Sequence, residues 1–429
     1  MKELQEKLLE YVDKHLDEIY EFLANVISFD STNYINCGKE LECQKFICGE
    51  YKKQGANVEI YTVKDCPQIY EHPDFEEDRK MEIRPNVTVF IPCAEEYKDT
   101  AKNIMLSSHS DTMPVGDISQ WRTDPFKLSF IDGKAYGLGI SDNKCGSAET
   151  FAIFKAIKDM NLKLRHNLYL TVVSDEEYFG GNGSLLACLK YPCDIYVNLD
   201  GCDFEPQVAG LGGTCFKLDV KCAFDTSTTE PAVDALYYVK TKLQSFAMRR
   251  FAELESNPLY TGSEHAKSAF RIMEFGSGSF GTNVDIGALK IVVYSTKSKA
   301  ELQAELDELF SEKIKPFFEE NGIVSNGFER TVRCMEYAET RNTENAKLLA
   351  KYMSELADRN IEIRGACLSD LDIYIRDGSP DSFNVGLIRE FKLEGGAHKP
   401  NEYIKCSEFE NLTKALLLFV TDWCRAEEE

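Results

Sequence analysis

Paired cysteines, long apolar runs and positive charge are what this sequence lacks. Its 15 cysteines are scattered, odd in number and nowhere spaced as C-x-x-C, which argues for reduced thiols in a reducing compartment rather than a disulfide framework. No apolar run approaches the ~20 residues of a membrane-spanning helix, and the amino end, MKELQEKLLEYV, reads as a charged amphipathic helix rather than a signal peptide. A cytoplasmic protein with no membrane partner is the expectation. Lys and Arg number 49 against 72 Asp and Glu, a net charge of −23, so nucleic acid and anionic membrane surfaces are excluded as partners. Apolar residues make up 43% of the 429, ample for burial in a chain too long for one core, and size alone suggests two domains.

Three short stretches place an acidic or imidazole side chain just past an apolar run. SSHSDT (107–112) follows NIML (103–106), a short buried strand, so His109 and Asp111 stand two apart on one side of the chain. A zinc-binding His usually donates its second ring N–H to a carboxylate, and Asp111 is placed to accept it. GISDNK (139–144) sets Asp142 between flanking glycines and a helical pattern at 145–159. SDEEYF (174–179) sets Asp175, Glu176 and Glu177 directly after the strand pattern LYLTVV (168–173). Three adjacent carboxylates repel one another unless cations sit nearby.

Together with Asp200 and His398 these residues meet the needs of two divalent ions about 3.5–4 Å apart: ligands on each ion, a bridging carboxylate, and one free carboxylate to act as base. His109, Asp142, Glu177, Asp200 and His398 take the ligand roles and Glu176 that of base. Singly, each stretch has a plainer reading. HSDT could be a turn, Asp142 a helix cap, SDEE a helix amino end capped by Ser174, and GGAHKPNEY (395–403) any loop. Their joint occurrence weighs against those readings.

The order HSDT, Trp121, DPF (124–126), DGKAYGLGISDNK (132–144), DEE (175–177), Asp200 and His398 in HKPNE resembles the zinc exopeptidase and deacylase family, metallopeptidase family M-twenty, over nearly the whole chain. That family holds carboxypeptidase G, aminoacylase, succinyl-diaminopimelate desuccinylase, carnosinase and peptidase T. The resemblance implies that Asp142 bridges two ions, His109 and Asp200 complete one, Glu177 and His398 complete the other, Glu176 is the general base, and Asp111 orients His109. Zinc is the first expectation for the two divalent ions, and manganese or cobalt fits the same ligands.

Apolar residues Leu8, Val12, Leu16, Ile19 and Leu23 recur at helical spacing and predict an amphipathic first helix. A helix at 39–54, a strand at 57–63, an exposed proline- and charge-rich excursion at 66–85 and a strand at 86–91 follow, and strands and helices alternate to Asp200. From about 208 the pattern changes to strand 216–222, helix 230–254, strands near 268–275 and at 286–294, helix 299–314 and strand 329–337, a β-α-β-β-α-β succession. The expected fold is therefore α/β: a mixed-sheet di-zinc exopeptidase catalytic domain with an inserted ferredoxin-like α+β satellite domain. The boundaries are 1–207 and 340–429 for the catalytic domain and 208–339 for the satellite, which the resemblance assigns to dimer contacts or a lid. Helices at 342–356 and 410–423 close the catalytic domain.

The chain departs from the family in its satellite. The stretch CAFDTSTTEPAVDAL (222–236) has no His where many members polarise the scissile carbonyl, and VVYSTKSK has no Arg where many grip a substrate carboxylate. His265 and Asn283, in GSFGTNV (278–284), are the substrate-binding candidates, with Lys297 or Arg376 as replacements for the Arg. Asp at position 200 accompanies amino- and dipeptidases in the family, where Glu accompanies carboxypeptidases and deacylases. The resemblance thus implies a homodimeric metallopeptidase cleaving the amide bond of a dipeptide or short peptide. Its rivals are a deacylase of N-acyl amino acids with the same chemistry and a metal-binding protein that has lost catalysis.

Overall fold

The strand Asn103–His109 is buried along nearly its whole length, as expected of a parallel strand with neighbours on both edges. It runs parallel to Asn167–Val173 and Ile195–Asn198. The computed structural model, which describes residues 2–223, 230–278, 284–389 and 395–428, orders the main sheet as Asn57–Tyr61, Asn86–Ile91, Asn167–Val173, Asn103–His109, Ile195–Asn198, Phe383–Asn384 and Gln207–Gly210. The first three pair antiparallel and the centre is parallel, so the sheet is mixed.

The chain divides into two units, Met1–Ala209 with Glu339–Glu429, and Gly210–Ala338. In the first, helix Cys145–Asp159 is buried through most of its circumference, which fits its lack of a polar stripe. Phe151 of that helix stacks on Phe22 at 4.2 Å and meets Tyr51 edge-on. The amino-terminal helix is not continuous, contrary to the sequence reading. It stops at Lys14 and restarts at Leu16, because His15 leaves helical geometry (φ −113°, ψ 13°) and its ring stacks on Tyr11. The segment 66–85 also differs from expectation. It contains the short turns Pro67–Glu71, Glu77–Arg79 and Met81–Ile83, and Ile69, Arg79, Met81 and Arg84 within it are buried.

The second unit pairs Phe270–Ser277, Ile286–Ser295, Gly212–Cys222 and Ile323–Val324 in that spatial order. Alternate residues Phe216, Leu218 and Val220 of one strand and Leu289, Ile291 and Val293 of another join Leu236, Val239 and Leu243 of helix Pro231–Glu255 in one apolar core, the period-two pattern of a sheet with one covered face. Helix 299–314 of the sequence reading ends as an α-helix at Leu309 and continues through a wider turn, Phe310–Ile314. The expected strand 329–337 is reduced to Glu329–Arg330.

Candidate metal centre

Three neighbouring parallel strands end on the same side, and each delivers a candidate residue there. His109 is the last residue of its strand, Glu176 and Glu177 follow Asn167–Val173, and Asp200 follows Ile195–Asn198. The carboxyl ends of such strands are where open α/β sheets gather ligands. Asp142 joins them from the turn before helix Cys145–Asp159, and His398 from a late loop.

The two oxygens of Asp142 face different histidines. Its Oδ1 lies 3.1 Å from His109 Nε2 and its Oδ2 3.1 Å from His398 Nε2. His109 Nε2 also faces Asp200 Oδ1 at 3.5 Å and Glu176 Oε2 at 3.9 Å, and His398 Nε2 faces Glu177 Oε2 at 3.1 Å. Donor atoms thus converge as two groups, His109 with Glu176 and Asp200, and Asp142 with Glu177 and His398. Ligand atoms ~2.0–2.1 Å from a tetrahedral ion stand about 3.3 Å apart, the spacing found here, so these residues fit a pair of ions with Asp142 between them.

Charge points the same way. Burial pushes the Glu176 carboxyl well up, with Asp200 adding to it, and burial raises Glu177. Around both histidines burial alone would disfavour a charged ring, but the facing carboxylates outweigh it and hold both imidazoles well above their ordinary range. A site that retains protons this way exchanges them for metal.

Asp111 supports the site differently from the sequence expectation. The His109 ring bonds through Nδ1 to the main-chain oxygen of Asp111 at 2.9 Å, and the nearer carboxylate oxygen is 3.5 Å away. That carboxylate instead accepts the main-chain N–H groups of Glu176 (3.1 Å) and Glu177 (3.0 Å) and the Asn33 amide (2.8 Å). It fixes the backbone that carries Glu176 and Glu177. Burial would raise its pKa, but His109, Arg84 and Asn33 together keep it far below the ordinary range.

Four charged side chains support the site without having been given a role in the sequence. Glu402, four after His398, accepts the N–H groups of Gly139 and Ser141 (2.8 Å each) and of Asp142 (3.2 Å), so it shapes the Asp142 turn. Arg84 and Arg79 donate to Asp175 Oδ1 at 2.6 and 2.9 Å. Asp175 has φ 69°, a left-handed conformation costly for a residue with a Cβ, and these two bonds help hold it. Gly180 serves the same loop: a Cβ there would stand 1.9 Å from the Asp175 oxygen. The fourth, Arg389, reaches Asp142 and Asp200.

Residues 105–422 match the model of Peptidase family M20/M25/M40. The chain belongs to that family. Among curated relatives of this M20/M25/M40 family member, an uncharacterized metallohydrolase of Methanocaldococcus jannaschii is 32% identical over 165 residues, covering 38% of this chain and 37% of the relative's length. The N-formyl-4-amino-5-aminomethyl-2-methylpyrimidine deformylase of Halalkalibacterium halodurans is 22% identical over 98% of this chain and 97% of its own. Among solved structures, the dipeptidase Dug1p of Saccharomyces cerevisiae superposes with a TM-score of 0.75 at 13% identity, covering 99% of each chain, a likeness of fold.

His265 lies half-buried on the short helix Glu264–Lys267 of the second unit. Asn283 lies outside the described residues. Lys297 pairs with Glu305, and Arg376 with Asp74 at 2.9 Å and Asp372 at 3.6 Å, so each of the two cations considered as a carboxylate grip is engaged by its own unit's acids. Among the described residues no helix is long and apolar enough to cross a membrane.

Proposed function

We propose that this protein is a metal-dependent hydrolase that cleaves the amide bond of a dipeptide or short peptide, with Glu176 as general base. The observation that carries the reading is Asp142 presenting one oxygen to His109 and the other to His398, each at 3.1 Å, the arrangement of a carboxylate shared by two ions. When bound, two divalent ions, zinc first and manganese or cobalt as alternatives, would supply the positive charge that makes a water more acidic and a carbonyl more electrophilic. His109, Asp200, Glu177 and His398 would hold them, and Asp111 keeps the Glu176 backbone in place. Glu176, mostly enclosed with its Oε2 3.9 Å from His109 Nε2, is placed to take the proton of the attacking water and return it to the departing amine.

Asp at position 200 favours a substrate with a free amino end. The full-length likeness to a deformylase favours the second reading, hydrolysis of an N-acyl amino acid or related amide. The test is metal-free protein assayed on a panel of dipeptides and N-acyl amino acids, with zinc, manganese or cobalt restored. Metal-dependent cleavage of dipeptides supports the first reading and cleavage confined to acyl amides the second. Silence across the panel with two ions bound would count against both.

A homodimer is proposed on separate grounds. Strand Phe270–Ser277 is an edge of its sheet and exposes Met273 and Phe275, while Tyr237 and Met248 of helix Pro231–Glu255 are 62% and 66% exposed. Unpaired edges bearing apolar side chains are association surfaces. Light scattering should give twice the 48.6 kDa chain mass; a monomer at micromolar concentration would contradict it. All 15 cysteines are free, in keeping with a cytoplasmic location.

A further inference from the structure

Arg389 follows the buried run Val385–Leu387 and is itself buried. Its Nη1 donates to Asp142 Oδ1 at 2.9 Å and its Nη2 to Asp200 Oδ1 at 2.6 Å. These are the same two oxygens that face His109 Nε2 at 3.1 and 3.5 Å. A carboxylate oxygen has two lone pairs, so each can accept a guanidinium N–H and still direct the other pair at an ion. Arg389 and His109 thus meet at one pair of oxygens, one from each aspartate.

Among the described residues the guanidinium has no other hydrogen-bonded anchor. Its Nε has no partner, and neither oxygen of buried Glu149 has one. Burial pushes the Glu149 carboxyl up to about 8, against the pull of Arg389, so near neutral pH Glu149 is mostly uncharged and does not draw the arginine away. Arg389 therefore ties the carboxylate of one donor group to that of the other, Asp200 to Asp142. A guanidinium fork is planar and rigid, and holds two acceptors in one geometry where a lysine ammonium, a point charge on a flexible stem, does not.

We propose that Arg389 is a positioning residue of the two-ion centre, its guanidinium fork fixing the mutual orientation of Asp142 and Asp200 so that both oxygens reach the ion they share with His109. The inference rests on the metal-centre reading. Outer partners of metal ligands are worth about 10–100-fold in metal affinity, and Arg389 serves two ligands at once.

The test is titration of metal-free wild type, Arg389→Lys and Arg389→Met with cobalt(II), following the visible bands that report coordination geometry and measuring affinities by chelator competition. Wild type should bind two ions. Arg389→Met should hold one of them about 10–100-fold more weakly with an altered spectrum, and Arg389→Lys should fall between. Two ions bound by Arg389→Met as tightly as by wild type, or more tightly, with an unchanged spectrum would overturn the inference, because the guanidinium would then only neutralise the carboxylates. Should Arg389→Met not fold, Arg389→Lys decides alone: weakened binding of one ion supports the proposal and unchanged binding overturns it. Failure of wild type to take up two ions would remove the metal centre and this inference with it.

Discussion

Two groups of buried carboxylates meet at the loop after strand Asn167–Val173, and they are balanced differently. Around Asp175 the charges come with their counter-ions: Arg84 joins Asp175 and Glu40, and Arg79 adds a second bond to Asp175. One residue further on, Glu176 and Glu177 belong to a group with Asp142 and Asp200 whose only fixed cation among the described residues is Arg389. With both imidazoles neutral, as metal ligands must be, four carboxylates against one guanidinium leave an excess of negative charge. Buried carboxylates without counter-ions are costly, and the excess is what two divalent ions would cancel. The first group builds the loop and the second works from it.

The largest expected consequence of breaking the second group is on turnover. Glu176→Ala should lower it by about 10²–10⁴ while two ions remain bound; retained turnover in steady-state assays would take the base role from Glu176. Breaking the first group should act on stability instead. Arg84→Met leaves Asp175 and Glu40 short of a buried partner and should cost about 3–5 kcal/mol in denaturant unfolding, a loss that added metal does not single out and reverse.

Glu149 sharpens the contrast as a buried acid outside both groups. Its folded pKa of about 8 exceeds the usual carboxyl value of 4.5. The folded chain therefore keeps a proton that the unfolded chain releases, and stability falls as pH rises between those values. Glu149→Gln, which mimics the protonated acid, should match wild type in acid and be more stable at pH 8 by a margin on the order of a few kcal/mol. Parallel stability curves from pH 5 to 8 would contradict this. The smallest effect on folding is expected from His398→Ala. That side chain is 36% exposed and pairs with Asp142 and Glu177, so metal-free stability should fall by less than in Arg84→Met, while calorimetry should show one ion lost.

The same contrast governs what could be read in the sequence. The strands Asn103–His109 and Asn167–Val173 were legible from their apolar runs, and so were the acids and imidazole that follow them, because buried strands in α/β sheets deliver their functional groups at the carboxyl end. Arg389 follows the apolar run VGLI, beyond the strand Phe383–Asn384, but a search for acids and imidazoles passes over an arginine. Arg79 and Arg84 were hidden differently: prolines and charges make 66–85 look exposed, and only the pairing with Asp175 and Glu40 shows why two arginines lie buried there. Asp111 was found for its spacing from His109, yet its carboxylate serves the backbone of residues 176 and 177, a partnership across 65 residues that no local pattern records. His15 shows the limit of periodicity, since an apolar stripe continues across a helix break.

The central claim is that Asp142 is shared by two ions. Calorimetric titration of metal-free protein with zinc tests it most directly: the account predicts two ions per wild-type chain and no more than one in Asp142→Ala, whereas a wild-type stoichiometry below two, or two ions retained by Asp142→Ala, would contradict it.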